Sequence, residues 1–162
     1  MNKVTLVRSV MTTSLHTLKP DMPIFAAIHL LLKQRISGAP VLDDGGNLVG
    51  MLSEKDCLRA FVNGAFFSQS AGAQVSDYMI KDIQTLDADD DIFKAASLFL
   101  NHSYRRLPVL DDGKLVGQVS RRDILLASVK MVEESPVKKE WTDSKYIPEE
   151  VKAALSDRSS ES

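Results

Sequence analysis

Two short runs in this chain set a hydroxyl three residues ahead of a carboxylate: Ser53-Glu54-Lys55-Asp56 and Ser120-Arg121-Arg122-Asp123. Each follows an apolar stretch and opens a segment whose apolar residues recur at helical spacing. The pattern supports two chemistries. A serine three residues before an acid is close to a capping box, in which the two side chains satisfy orphan amides of a helix's first turn. The same amides, at the positive end of the helix dipole, suit a phosphate. A carboxylate one turn into the helix can accept hydrogen bonds from two ribose hydroxyls, as the acid of dinucleotide folds does. Spacing alone does not choose between them.

Catalysis has little support. His16, His29 and His102 are scattered, with no pair at metal-ligand spacing, so neither a metal nor a catalytic residue is expected. The chain has no Gly-x-Ser-x-Gly elbow and no Walker-type glycine loop. His29 sits in an apolar helical stretch and reads as an edge or satisfied residue. Cys57, beside Asp56 and close to Lys55, reads as a small buried hydrophobe.

The elements that carry the two serine-acid runs are repeats of each other. With Met11 set against Met79, Asp21, Ile24 and Phe25 meet Asp89, Ile92 and Phe93. Pro40-Val41-Leu42-Asp43-Asp44-Gly45 meets Pro108-Val109-Leu110-Asp111-Asp112-Gly113. One extra residue, Gly46, falls in the first turn, and Leu48-Val49-Gly50 then matches Leu115-Val116-Gly117. About 22 of some 49 paired positions are identical, far above chance for unrelated segments.

Each copy reads as strand, helix, strand, strand, helix, an α+β pattern. Thr13 to Leu18 and Ile83 to Leu86 are the leading strands. Asp21-Met22-Pro23 is a helix start, with an N-cap residue and a proline in the first turn. Ile24, Ala27, Ile28, Leu31 and Leu32 follow at helical spacing, as do Ile92, Ala95, Ala96 and Phe99. Ala39 to Leu42 and Leu107 to Leu110 form strands that end in Asp-Asp-Gly turns. Leu48 to Leu52 and Leu115 to Val119 return. Second helices start at Ser53 and Ser120, carrying Leu58, Phe61 and Val62 or Ile124, Leu125 and Val129 toward the core. Residues 4–62 and 75–130 are the two repeats, 63–74 a connector with Phe66 and Phe67, and 131–162 a tail. That tail reads as partly disordered or, over Pro148 to Leu155, as a short helix, with Trp141 and Tyr146 either contacting an effector or second subunit or ordering the tail against the body. One copy alone is too small to be comfortably stable, so the two are expected to pack through their sheets around one shared core.

Composition narrows the classes that remain. The chain has 162 residues, 44% hydrophobic and 26% charged, with a net charge of −2. That balance argues against a nucleic-acid binder. The longest mostly apolar run, Ile24 to Leu32, is far short of a membrane span. No secretory leader is evident, and the single cysteine, Cys57, fits a reducing cytoplasm.

Two copies of strand, helix, Pro-Val-hydrophobic-Asp, turn, hydrophobic-Val-Gly and Ser-x-x-Asp resemble a tandem pair of CBS domains (cystathionine β-synthase domains), a Bateman module. Met11-Thr12 and Asp77-Tyr78-Met79 are similar to the family's usual openings. The resemblance spans residues 4 to 130 and leaves the tail unexplained. It implies a pseudo-two-fold axis and two clefts that hold an adenosine-containing ligand such as AMP, ADP, ATP or S-adenosylmethionine. It assigns Asp56 and Asp123 to the ribose, and Ser53 and Ser120 to the phosphate or a hydroxyl. It makes Ser37, Gly38, Ala39, Leu107 and Pro108 cleft lining. The second copy carries Arg105, Arg106, Arg121 and Arg122 where the first has Ser37, Gly38, Glu54 and Lys55. Arginine grips phosphate in a bidentate fork, so unequal sites are expected, the more phosphate-rich ligand lying beside these arginines. The family also implies a flat homodimer formed through helices, and here a separate effector protein. The expected function is a regulatory sensor of an adenosine ligand, the alternative a structural or protein-interaction module with empty clefts.

Overall fold

The computed structural model describes residues 4–64 and 72–135. Phe66, Phe67, Trp141, Tyr146 and the expected tail helix lie outside these residues. In the first repeat, α1 (Ile24–Gln34) precedes an antiparallel pair, β1 (Gly38–Leu42) and β2 (Leu48–Ser53), and α2 (Glu54–Val62) follows. A short α3 (Val75–Tyr78) leads into the second repeat, which contains β3 (Leu86–Asp87), α4 (Ile92–Asn101), β4 (Arg106–Asp111), β5 (Lys114–Ser120) and α5 (Arg121–Glu133). β3 runs parallel to β4, and β4 antiparallel to β5. The second hairpin turns on Asp112 and Gly113, both at positive φ, which matches the twist of its strands. The extra residue of the first turn, Gly46, also has positive φ, and the Asp43 carboxylate accepts hydrogen bonds from the backbone and side chain of Asn47. Those bonds hold Asp43 below the usual carboxylate range.

The segments leading into the repeats are exchanged between them. Thr12 pairs with Gln118 of β5, while Ile80 pairs with Met51 of β2. Val7 lies in the core of the second repeat, and Val75 in that of the first. Met11 and Met79 pack over Gly117 and Gly50, where any Cβ would collide with the methionine side chain. Arg8 adds ion pairs to Asp89 at 2.7 Å and to Asp111 at 3.6 Å, which raises the arginine and lowers Asp89. The exchange also completes two helix starts. The Ile24 amide donates to the Ala73 carbonyl, and the Ile92 amide to Thr5.

Several sequence expectations change accordingly. α1 takes Pro23 as its N-cap with no side-chain cap, so Asp21 does not cap it; the exchanged segment at Ala73 supplies the acceptor instead. Asp91 does cap α4, accepting from the Lys94 amide. Thr13 to Leu18 is not a strand. Between the bridge at Thr12 and the one at Leu18, the chain crosses from one repeat to the other with no sheet partner. Ile83 to Leu86 shortens to Leu86–Asp87. α5 extends past residue 130, to Glu133.

The shared core is also corrected: the described residues form two. Leu18, Ile24, Ala27, Leu31, Ala39, Val41 and Leu52 pack in one cluster. Leu86, Ile92, Phe99, Leu107, Val109 and Val119 pack in the other. Strand alternation is the reason. Its aliphatic face in each sheet turns to that repeat's own helices. The opposite face carries Gly38, Pro40, Met51 and Ser53, or Arg106, Pro108, Gln118 and Ser120, of which Met51 is the one long apolar side chain. Leu58, Phe61, Val62, Leu125 and Val129, expected inside, are exposed, as are Phe25, Leu32, Phe93 and Leu100.

Gly117→Ala should test the exchange. Its Cβ would lie 2.6 Å from the Met11 sulfur and 3.0 Å from the Thr12 carbonyl oxygen, which the Gln118 amide holds in place. We expect a loss of about 1–3 kcal/mol in urea unfolding. An unchanged midpoint would show that the N-terminal segment does not sit on β5 in solution.

Candidate functional site

Both serine-acid runs form the capping box. Asp56 Oδ2 accepts from the Ser53 amide at 2.9 Å and the Ser53 hydroxyl at 2.7 Å, while the Asp56 amide donates back to Ser53 Oγ at 3.3 Å. Ser120 and Asp123 repeat the arrangement at 2.7, 2.7 and 3.3 Å. Capping occupies one carboxylate oxygen and the serine proton. It leaves Oδ1 of each aspartate outside the box, so capping and ligand binding are compatible uses of the same residues.

The two Oδ1 atoms meet different fates. Asp56 is 1% exposed, and its Oδ1 is buried without a hydrogen bond among the described residues. Arg59, one turn along α2, reaches within 3.4 Å, an ion pair that lacks hydrogen-bond geometry. The equivalent residue in α5 is Leu126, which offers no charge. Asp123 is partly exposed and lines a cavity of about 40 Å³. Ser120, Gln118 and Arg106 line it from the second sheet, and Gly38 and Ile36 from the first repeat. Thr12, Ser14 and His16 of the crossing segment close it.

Of the residues picked out in the sequence, this cavity gathers Asp123, Ser120, Arg106 and Gly38. Ser53 and Asp56 form their own box in the other repeat. Lys55, Arg105, Arg121 and Arg122 are exposed and do not line the cavity. Ala39 and Leu107 are not lining residues; they belong to the cores, because they alternate with Gly38 and Arg106 along their strands. Pro108 is fully buried beside Gln118. The Ser37 carbonyl accepts the Glu54 amide at the start of α2. Sequence reading missed Thr12, Ser14, His16, Gln118 and Arg59. For Gln118 and Arg59 a signal was available, since the repeat alignment sets them against Met51 and Leu126.

Cys57 is buried beside this machinery, and burial, then the charges of Asp56 and Glu54, push its thiol up to about 11. Among the described residues, no group of histidines, cysteines and acids could hold a metal, and no helix is long and apolar enough to cross a membrane.

Two CBS domain matches cover residues 7–63 and 75–130, and the chain belongs to the CBS-domain family as a tandem pair. It is 33% identical to CBSX2 of Arabidopsis thaliana, whose crystal structure in complex with AMP superposes with a TM-score of 0.70 over 78% of this chain and 98% of that one. CBSX1, a chloroplastic CBS domain-containing protein of Arabidopsis thaliana, is 30% identical over 142 residues, covering 72% of this chain and 60% of the relative. An uncharacterised protein of Methanocaldococcus jannaschii is 28% identical over 119 residues, or 74% of this chain and 41% of its own length. The chain thus spans well under the full length of these two sequence relatives.

The environment of Cys57 makes a measurable prediction. At pH 8 a thiol with a pKa of about 11 is thiolate in only about one molecule in a thousand. Disulfide-reagent labelling should therefore run at least about a hundredfold slower in the folded protein than in urea. Because the folded value lies above the ordinary 9.0, the thiol's contribution to stability is complete below 9.0 and is lost as pH rises through about 11. Equal labelling rates would overturn the burial.

Proposed function

We propose that this chain is a regulatory, non-catalytic module that senses an adenosine nucleotide at Asp123 and signals to a separate effector protein by a change of shape. One observation carries the reading. The Asp123 carboxylate keeps Oδ1 outside its capping box and lines the cavity between the repeats, together with Arg106 and Ser120. A carboxylate oxygen suits ribose hydroxyls, and a guanidinium beside it suits a phosphate. The AMP complex of the Arabidopsis relative supports this choice of ligand. A single arginine in the cavity matches a monophosphate better than the phosphate-rich ligand expected from the four arginines together. Asp56, sealed and paired with Arg59, is the weaker site.

Cavity size supplies the switch. About 40 Å³ holds a few waters, and a nucleotide would favour an arrangement in which the two sheets stand further apart. The ligand then favours the parted arrangement by its difference in affinity for the two states. The crossing segment, tied at Thr12 to one repeat and at Leu18 to the other, transmits that motion. The exposed helical faces are the surfaces for a homodimer. Phe25, Leu32, Leu58 and Phe61 border an apolar groove of about 570 Å³ between α1 and α2.

AMP should raise the melting temperature by mass action, and ADP, ATP and S-adenosylmethionine complete the screen. Asp123→Ala should weaken AMP binding by about ten- to a hundredfold in calorimetry, the loss of a charged hydrogen bond. Unchanged affinity would remove Asp123 from the site. No shift with any ligand would leave a structural or interaction module. For the dimer, Leu58→Asp should yield a monomer in sedimentation, and a variant that stays dimeric would move the interface elsewhere.

A further inference from the structure

Gln118 is the cavity residue that capping and charge do not explain. It is 5% exposed, its Oε1 is buried with no hydrogen-bond partner among the described residues, and it lines the cavity with Ser120 and Asp123. Its backbone cannot relieve this. The Gln118 amide and carbonyl are both bonded to Thr12, at 2.9 and 2.8 Å, and the residue sits opposite Pro108 in the sheet. An unpaired buried amide oxygen costs stability. The first repeat avoids the problem, with Met51 at the equivalent position. The second repeat therefore carries a polar group that lacks a partner until something supplies a hydrogen-bond donor.

The strand register says which part of a ligand does so. Arg106 lies opposite Ser120, at the end of the sheet nearest Asp123. Gln118 is the next residue on the same face of β5, about 7 Å from Ser120 along the strand. A nucleotide carries its phosphate and its base on opposite sides of the ribose. With the ribose at Asp123 and the phosphate toward Arg106, the base extends toward Gln118.

Resting on the nucleotide reading above, we infer that Gln118 is a base-specificity residue whose carboxamide reads the edge of adenine. Its oxygen accepts from the exocyclic N6 amine and its NH2 donates to N7, the bidentate pairing that glutamine makes with adenine. The same edge of hypoxanthine presents two acceptors, O6 and N7. A 6-oxopurine therefore leaves one of the two amide hydrogen bonds unmade.

The test compares AMP and IMP by calorimetry in the wild type and in Gln118→Met, the residue of the first repeat. The wild type should prefer AMP by about tenfold or more. Gln118→Met should lose about tenfold in AMP affinity, and its two affinities should converge to within about threefold. Without ligand it should melt at or above the wild-type temperature, since it removes an unpaired amide. An unchanged AMP-to-IMP ratio, with AMP still bound, would overturn the role of Gln118 and leave the nucleotide site standing. A large drop in the melting temperature of the ligand-free variant would show that the amide has a structural partner and would also overturn it. A wild type that binds neither nucleotide would overturn both readings.

Discussion

The arrangement depends on one reciprocal contact, the seating of each repeat's leading segment on the return strand of the other. Met11 lies over Gly117 and Met79 over Gly50, with no room for a side chain at either glycine. The exchange adds a single bridge to the edge of β2 and of β5, places Val7 and Val75 in the opposite cores, and gives the amides of Ile24 and Ile92 their acceptors. Neither repeat has a complete core without its neighbour. That interdependence is the tertiary answer to the small size of a single copy.

The exchange also builds the site. A chain that must leave β5 at Thr12 and reach β1 at Leu18 has to cross the gap between the sheets, and so brings Ser14 and His16 to the cavity wall. Two cores rather than one follow from the same geometry. If the facing sides of the sheets were aliphatic, they would fuse into a dry interior. Gly38, Ser53, Gln118 and Ser120 leave instead a seam with polar groups between two separate cores. Symmetry is then broken by single side chains: Asp56 is buried and paired with Arg59, while Asp123, with Leu126 at the equivalent position, is partly exposed.

Much of this was legible in the linear chain. The duplication, the two hairpins, the helical spacing and the serine-acid caps all depend on residues close in sequence, where periodicity and turn chemistry act directly. The errors came where a partner lies far away. Pro23 begins a helix without Asp21 because Ala73 reaches it. Thr13 to Leu18 has strand-like composition yet no strand to pair with along most of its length. Leu58 and Phe61 have the spacing of core residues and face outward, because α2 buries Asp56, Cys57 and Ala60 instead.

By itself, the sequence determined that the protein is a tandem repeat with two capped helices, and that the second copy is the more basic. These are local properties, set by spacing and side-chain chemistry. Only the tertiary structure decided that Arg106 alone of the four arginines enters the cavity, that Asp56 is closed and Asp123 accessible, and that Gln118 is buried without a partner among the described residues. The reason is physical. Exposure and hydrogen-bond satisfaction depend on which surfaces meet, and two copies with nearly the same local code meet through an exchange of segments that no local pattern records.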